Sequence, residues 1–315
     1  MGHLWATQRA KSPEEAKCVD DMYRLMEEIG RGSISVVRKG LPWENDSNSE
    51  GEQSSKAVAV RVIKRIKGIE RGSKGHEALF EELRIQALLR HQNICRIFEV
   101  FNEPEAMNIT MELLDGGDLH TRIIVRERFE EGEAASVVYG VASALQFMHE
   151  RGVVFRDLKP ENIRFPDPFD SSQPKLVNFS LARDMRRSGD TKGPVGILTP
   201  CGSPGYVAPE ILHQKIYNEA VDLWSLGVIL YTMLCGYPPF YHEKHATLFE
   251  IIKAGDYEFH ESHWGSVSDP AKHLISRLLC VDPGRRPSAS QTVRTTWVYL
   301  KRFQYKQHVE EMLKP

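Results

Sequence analysis

The chain has 315 residues, 41% of them hydrophobic and 27% charged, with a net charge of −2. That is enough apolar chain for a substantial core in one large or two small domains, and the near-neutral balance argues against a general nucleic-acid or membrane-surface role. Five cysteines, Cys18, Cys95, Cys201, Cys235 and Cys280, stand far apart; no pair has metal-ligand spacing, and the odd number suits reduced thiols in the cytoplasm or nucleus.

Residues 1–22 are polar and form an N-terminal extension, with a short helix expected near Glu14 to Met26. The start lacks a long apolar run, so no signal peptide is expected, and Ala6 stands where a myristoylation signal after Gly2 needs Ser or Thr. Gly30-Arg31-Gly32 sits between two β-type runs, Tyr23–Ile29 and Ile34–Lys39. Many hairpin turns carry Gly-x-Gly, but such a turn also lets backbone N–H groups approach a phosphate, because no Cβ intrudes. Residues 41–55 are acidic and serine-rich and read as a flexible insertion between two strands. Ala57 to Ile63 alternate as a strand, with Ala59, Arg61 and Ile63 on one face and Val58, Val60 and Val62 on the other. An Arg on a face shared with Ala and Ile is a local conflict of the kind that marks sites. His76 to Arg90 has helical spacing and carries Glu82. Strands follow near Ile94–Phe101 and Ala106–Leu113, and Leu114 to Leu119 reads as a hinge leading into a helix. Glu133 to Arg151 is a long amphipathic segment, and residues 182–205 form a loop rich in Gly, Arg, Ser and Thr. The longest apolar run, Leu223 to Phe240, contains Ser225, Gly227 and Thr232 and ends in Gly-Tyr-Pro-Pro-Phe; it reads as a buried core helix, not a membrane span. Val298 to Pro315 mixes basic, aromatic and apolar residues at roughly helical spacing. It suits a terminal helix packed on the preceding domain or a target for a calmodulin-like partner. No Asp-x-Asp-x-Asp-Gly loop stands in the sequence, so no EF-hand is expected.

The chemistry concentrates in Phe155-Arg156-Asp157-Leu158-Lys159-Pro160-Glu161-Asn162. Apolar Val153 and Val154 before it, and Ile163 and Phe165 after it, can anchor this loop in a core. The Asp157 carboxylate can take a proton from a hydroxyl nucleophile. Lys159 can offset charge on a phosphoryl group in flight, and the Asn162 carbonyl can hold a metal ion. Phosphoryl transfer asks for this equipment, since the protein's task there is positioning and charge compensation. A helix-capping Asp in an ordinary polar loop is the plainer alternative.

The stretch resembles the catalytic loop of eukaryotic protein kinases, with Phe155 where that family has His. Further motifs in matching order are Gly30 with Gly32, Val58-Ala59-Val60-Arg61, Glu82, Val177-Asn178-Phe179-Ser180, Thr199 to Glu210, Asp222 to Gly227 and Asp282 to Ser288, so the likeness spans about Tyr23 to Trp297. Thr199 to Glu210 is most similar to the calcium/calmodulin-dependent Ser/Thr kinases, and Lys159 favours Ser/Thr over Tyr. The resemblance implies an α+β, bilobal protein kinase fold occupying residues 23–298: a β-rich N-lobe with one main helix (23–113) and a mainly helical C-lobe (114–298), followed by a tail helix (299–315). It implies ATP and Mg²⁺ as cofactors. By the same likeness the nucleotide would be bound by Ile29, Gly30, Gly32, Val37, Ala59, Arg61, Glu82, Glu112, Leu114, Asp118 and Arg164. Asp157, Lys159 and Asn162 would be catalytic, Asn162 and Asn178 would stand at the metal, and Thr199 and Ser203 would lie in the activation segment. Glu210 would pair with Arg286, and Asp222 would fix the backbone of the catalytic loop. Arg156 would receive a phosphate placed on Thr199, ahead of Pro200, by an upstream proline-directed kinase, and Asp118 and Glu161 would favour an Arg upstream of the target hydroxyl.

The departures are specific. Ser35 stands at the third glycine position of the turn. Arg61 replaces the strand Lys; it keeps the charge but is longer and planar. Asn178 replaces the metal-binding Asp, and Mg²⁺ prefers carboxylates. Arg164 stands at the adenine floor where the family has Leu, and Gln86 stands where it stacks an apolar residue. The expectation is a Ser/Thr pseudokinase that signals through a protein substrate or partner kinase, with weak or no phosphotransfer and with no nucleic-acid or membrane partner. The alternatives are an active Ser/Thr kinase transferring the ATP γ-phosphate to basic-motif proteins, or a non-kinase ATP-dependent enzyme on the same fold.

Overall fold

A computed structural model describes residues 18–32, 34–43, 56–64, 73–169, 172–186, 204–214 and 217–312. They fall into two compact units, the first reaching to Arg90 and including Cys95–Leu114, the second made of His91–Ile94 and the chain from Asp115 onward.

The first unit contains α1 (Val19–Met22), β1 (Tyr23–Arg31), β2 (Ser35–Pro42), β3 (Val58–Lys64), α2 (Lys74–Leu88), β4 (Ile97–Asn102) and β5 (Ala106–Glu112). The strands form an antiparallel sheet in the order β1-β2-β3-β5-β4. The alternation in β3 serves two interiors at once. Val58 and Val60 join Val19 and Phe101 on one face, while Ile63 meets Leu79 and Leu83 of α2 together with Met107 and Ile109 on the other. α2 starts at the cap Ser73, whose Oγ accepts from His76 N at 3.2 Å. The helix expected over Glu14 to Met26 is confined, among the described residues, to Val19–Met22. Tyr23 pairs with Pro42 across the sheet and Trp43 N donates to Met22 O, so strand pairing wins there. For the same reason the expected insertion starts late: Leu41 and Pro42 belong to β2, and residues 44–55 lie outside the described residues.

The second unit opens with α3 (Leu119–Arg126), α4 (Glu131–His149) and β6 (Val153–Val154). A single 3-10 turn at Pro160–Asn162 precedes β7 (Ile163–Arg164), β8 (Lys175–Leu176) and β9 (Arg183–Asp184). The helices α5 (Pro209–Leu212), α6 (Ala220–Cys235), α7 (His245–Ala254), α8 (Glu261–Trp264), α9 (Asp269–Leu278), α10 (Ala289–Val293) and α11 (Thr296–Met312) complete it. The lobe border expected at 113/114 differs in two ways. Leu114 stays with the first unit, and His91–Ile94 belong to the second. Leu176 N donates to Asn93 O at 2.8 Å and Asn93 Nδ2 donates to Pro174 O at 2.7 Å, which fixes that turn to β8. The strand expected from Ile94 therefore starts only at Ile97.

α6 is buried from Val221 to Cys235, as the apolar run requires, and ends at Gly236 with φ +88°. α4 was expected to be amphipathic but is buried on most of its circumference, because α6, α10 and α11 all pack on it. Its Gly140 makes room for Pro174 and Asn93, since a Cβ there would stand 2.7 Å from Pro174 Cγ and 2.9 Å from Asn93 Nδ2.

α11 begins at Thr296, earlier than the expected tail, and docks on α4. Glu131 fastens it. Its carboxylate accepts from Ser268 N (2.8 Å), Ser268 Oγ (2.7 Å) and Trp297 Nε1 (2.6 Å), and Lys301 Nζ lies 3.3 Å away. Burial alone would raise the pKa of this carboxyl, but the hydrogen bonds from Trp297 and Ser268, with Lys301, outweigh it and hold the pKa below the usual carboxylate range. Glu131→Gln is expected to cost about 1–3 kcal/mol at neutral pH. A depressed native value means the charged form stabilises the fold above the unfolded-state value of about 4.3, and that this contribution is lost as pH falls through the native value. The melting difference between wild type and Glu131→Gln, followed by circular dichroism, should therefore shrink on acidification; a difference that grows in acid would refute the assignment.

Candidate active site

In the first unit, the register of β2 on β3 places Ser35 opposite Ile63 and Val37 opposite Arg61. Ser35 and Arg61 thereby become diagonal neighbours on one face. Arg61 Nη1 donates to Glu82 Oε1 at 2.5 Å, and Nε lies 3.4 Å from Ser35 Oγ. The pair is well shielded, with 17% of the Arg61 side chain and 5% of that of Glu82 exposed. Ile29 and Gly30 lie on β1, and Gly32 N donates to Ser35 O at 2.8 Å to close the turn; Ser33 lies outside the described residues. A Cβ on Gly30 would meet nothing closer than Val37 at 3.8 Å, so the backbone there lies open. Ala59 is buried on β3, Glu112 closes β5 with its N–H donating to Arg96 O at 2.9 Å, and Leu114 is buried. Gln86, a polar residue in an apolar place, satisfies its amide by donating from Nε2 to Cys95 O at 3.0 Å.

In the second unit, Asp222 builds the loop. Its Oδ2 accepts from Phe155 N at 3.0 Å and its Oδ1 from Arg156 N at 2.8 Å, while His149 Nε2 stands 2.8 Å from Oδ2. This bonding holds Arg156 at φ +72°, a region that a non-glycine residue enters only when its surroundings fix it. Phe155 and Phe179 are fully buried and meet edge to face at 5.2 Å. On this frame Asp157 Oδ2 accepts from Asn162 Nδ2 at 2.8 Å, and Lys159 Nζ lies 3.3 Å from Asp157 Oδ1. The three catalytic candidates are thus in one cluster. Asn178 adjoins it, its Nδ2 donating to Asn162 Oδ1 at 3.2 Å, and Ser180 Oγ donates to Asn178 Oδ1 at 2.8 Å.

Arg164 lies in β7, opposite Lys175 and bridged through the backbone to Asp118; its Nε is buried without a hydrogen-bond partner among the described residues. Asp118 Oδ1 accepts from Thr121 N at 2.8 Å and so caps α3. Arg156 carries its guanidinium 5.6 Å over the Tyr217 ring, and burial holds its pKa below the usual guanidinium value. Glu210 takes both ends of Arg286, Nη1 to Oε1 at 2.6 Å and Nη2 to Oε2 at 2.7 Å. Thr199 and Ser203 lie outside the described residues.

The sequence reading missed Ser35 as a partner of Arg61 and Ser180 as a partner of Asn178. The first depends on strand register and the second on the conformation of residue 178, neither of which a motif displays. The donor set also bears on Mg²⁺. Asn162 Oδ1 and Asn178 Oδ1 already accept hydrogen bonds, and no carboxylate stands at 178. Among the described residues no group of three His, Cys, Asp or Glu side chains comes together that could hold a metal. With Asp157 as its one carboxylate beside two amides, this donor set is a poor fit for a divalent ion held by the protein alone.

The sequence pattern of the family described as "Protein kinase domain" matches residues 23–298, and the chain belongs to that family. It is 37% identical over 295 residues to the calcium/calmodulin-dependent protein kinase type 1 of Macrobrachium nipponense, covering 93% of this chain and 79% of that one. The Caenorhabditis elegans protein of the same description is 36% identical over 297 residues, covering 94% and 79%. Myosin light chain kinase A of Dictyostelium discoideum is 35% identical over 280 residues, covering 89% of each chain. The chain thus resembles Ser/Thr kinases of the calcium/calmodulin-dependent type, on a fold with a five-stranded antiparallel sheet in one unit and a helical second unit.

Proposed function

We propose that this protein is a Ser/Thr kinase-fold signalling protein with weak or no ATP-dependent phosphotransfer, acting through a protein partner or substrate in the cytoplasm or nucleus. The observation that carries the reading is Asn178, an uncharged amide beside Asn162 where the family places a carboxylate for Mg²⁺. Arg61 adds to it, since a longer, planar guanidinium stands where the family has the strand Lys. A specific observation also favours an active enzyme: Asp157, Lys159 and Asn162 form one cluster on a loop held by Asp222. Phosphate transfer to a generic basic peptide, with Asp157→Asn as the blank, decides between them. Kinases commonly turn over at about 1–100 s⁻¹. Loss of two charge-stabilising contacts at about 10²–10³-fold each places the expected rate about 10⁴-fold or more below that. Turnover near 1 s⁻¹ or faster would remove the pseudokinase reading.

A further inference from the structure

Three side chains of the second unit form a hydrogen-bonded ladder whose direction is forced. Asn162 Nδ2 donates to Asp157 O at 2.7 Å and to Asp157 Oδ2 at 2.8 Å. A backbone carbonyl and a carboxylate are acceptors, so the amide nitrogen of Asn162 must point at Asp157 and its Oδ1 must point the other way, at residue 178. Residue 178 then has to bring a donor, or share a cation with that oxygen. A carboxylate at 178 would set oxygen against oxygen at about the same separation, and only positive charge between them would reconcile the two. Asn178 brings the donor, Nδ2 to Asn162 Oδ1 at 3.2 Å, while its own Oδ1 accepts from Ser180 Oγ at 2.8 Å. The backbone suits this residue. Asn178 sits at φ +60°, a region that Asn and Asp enter more readily than other side chains. The buried Phe179 that follows it is locked against Phe155.

We propose that the amide of Asn178 takes the place of a divalent cation in this half of the site, so that the Asp157–Asn162–Asn178 cluster keeps its shape, and receives any ligand, without a metal ion. The inference deepens the weakly active reading above, but its test is stability and not turnover, so the two can fail separately.

The experiment is thermal unfolding of the full chain in EDTA and in millimolar MgCl₂ or MnCl₂, with no nucleotide present. Wild type is expected to melt at the same temperature in all of them. Asn178→Asp, which adds no volume and tolerates the same backbone, is expected to melt about 2–6 °C lower in EDTA and to recover most of that loss with the metal. Adding Asn162→Ala to it should abolish the recovery, because the second oxygen of the pair is then gone. The proposal is overturned if wild type gains as much from the metal as Asn178→Asp does, or if Asn178→Asp melts like wild type with and without it. Should Asn178→Asp fail to fold, wild type against Asn162→Ala decides. A metal-dependent rise in wild type that Asn162→Ala removes would overturn the proposal, and a wild type indifferent to the metal would uphold it. A wild type that phosphorylates peptide at ordinary rates would refute the proposed function and leave the melting result to be read independently.

Discussion

The triple variant Arg61→Lys, Arg164→Leu, Asn178→Asp is expected to phosphorylate a basic peptide about 10⁴-fold or more faster than wild type, and by far more than the product of the three single effects. Each change restores a different requirement: a compact ammonium in place of a planar guanidinium, an apolar floor in place of a cation, and a carboxylate where Mg²⁺ needs one. By the family resemblance all three serve one nucleotide, so repairing one while another stays broken does little, and their effects couple. What they would act with is already assembled. Asp157 is held by Asn162 and Lys159, Glu82 is paired, and Asp222 holds the loop backbone. Arg61→Lys gives up the Ser35 contact at 3.4 Å but can keep the pairing with Glu82. The assay is phosphate transfer against an Asp157→Asn blank. A triple variant that folds, binds ATP with Mg²⁺ and still transfers nothing would place the fault elsewhere. Gln86, a buried amide tied to Cys95 O, is the next residue to change.

Arg286→Ala is expected to be the most destabilising single substitution considered, at about 3–5 kcal/mol, because it leaves the Glu210 carboxylate buried and unpaired. The pair has 0% of the Arg286 side chain and 4% of that of Glu210 exposed. Arg286 also donates to three main-chain carbonyls, those of Cys280 (2.7 Å), Ala220 (3.0 Å) and Val281 (3.2 Å), so the truncation strands acceptors as well as a charge. Replacing both partners by apolar residues of similar volume, Glu210→Leu with Arg286→Met, should cost less than Arg286→Ala alone. Urea titration followed by tryptophan fluorescence would show it. A single variant milder than the double one would mean that the pair adds little beyond its packing.

The strongly patterned parts of the chain are legible in the sequence alone. β3 carries apolar residues toward both sides because both of its faces are covered, and α6 is largely apolar because it is buried from Val221 to Cys235. The cluster of Asp157, Lys159 and Asn162 was legible for another reason: its three members lie within one short stretch of chain. Legibility failed where a choice was made by something distant. The segment before Tyr23 reads as helix, yet pairing of Tyr23 with Pro42 cuts the helix short. α4 reads as amphipathic, yet α11, more than a hundred residues downstream, covers a face that the sequence leaves uncommitted. Ile94 reads as the first residue of a strand, yet the hydrogen bonds of Asn93 with Pro174 and Leu176 claim His91–Ile94 for the other unit. At the site, Asp118 was read for its charge, whereas its Oδ1 caps α3, a role visible only once the helix start is known.

The helix α11 separates two borders that are often assumed to coincide. The family pattern stops at residue 298, inside the first turn of a helix that runs Thr296–Met312. Yet the interior of the second unit continues past that point. Val309 is buried, the Arg302 guanidinium lies 3.6 Å from the centre of the Tyr139 ring, and the Tyr305 Cβ would stand 2.9 Å from any Cβ placed on Gly132. A protein trimmed for expression at the homology border would therefore lose the cover of α4 along with Lys301, a counter-charge of Glu131. It would present freshly bared apolar surface to solvent and tend to self-associate. The stretch that sequence comparison would discard as a tail is, for handling this molecule, part of its wall.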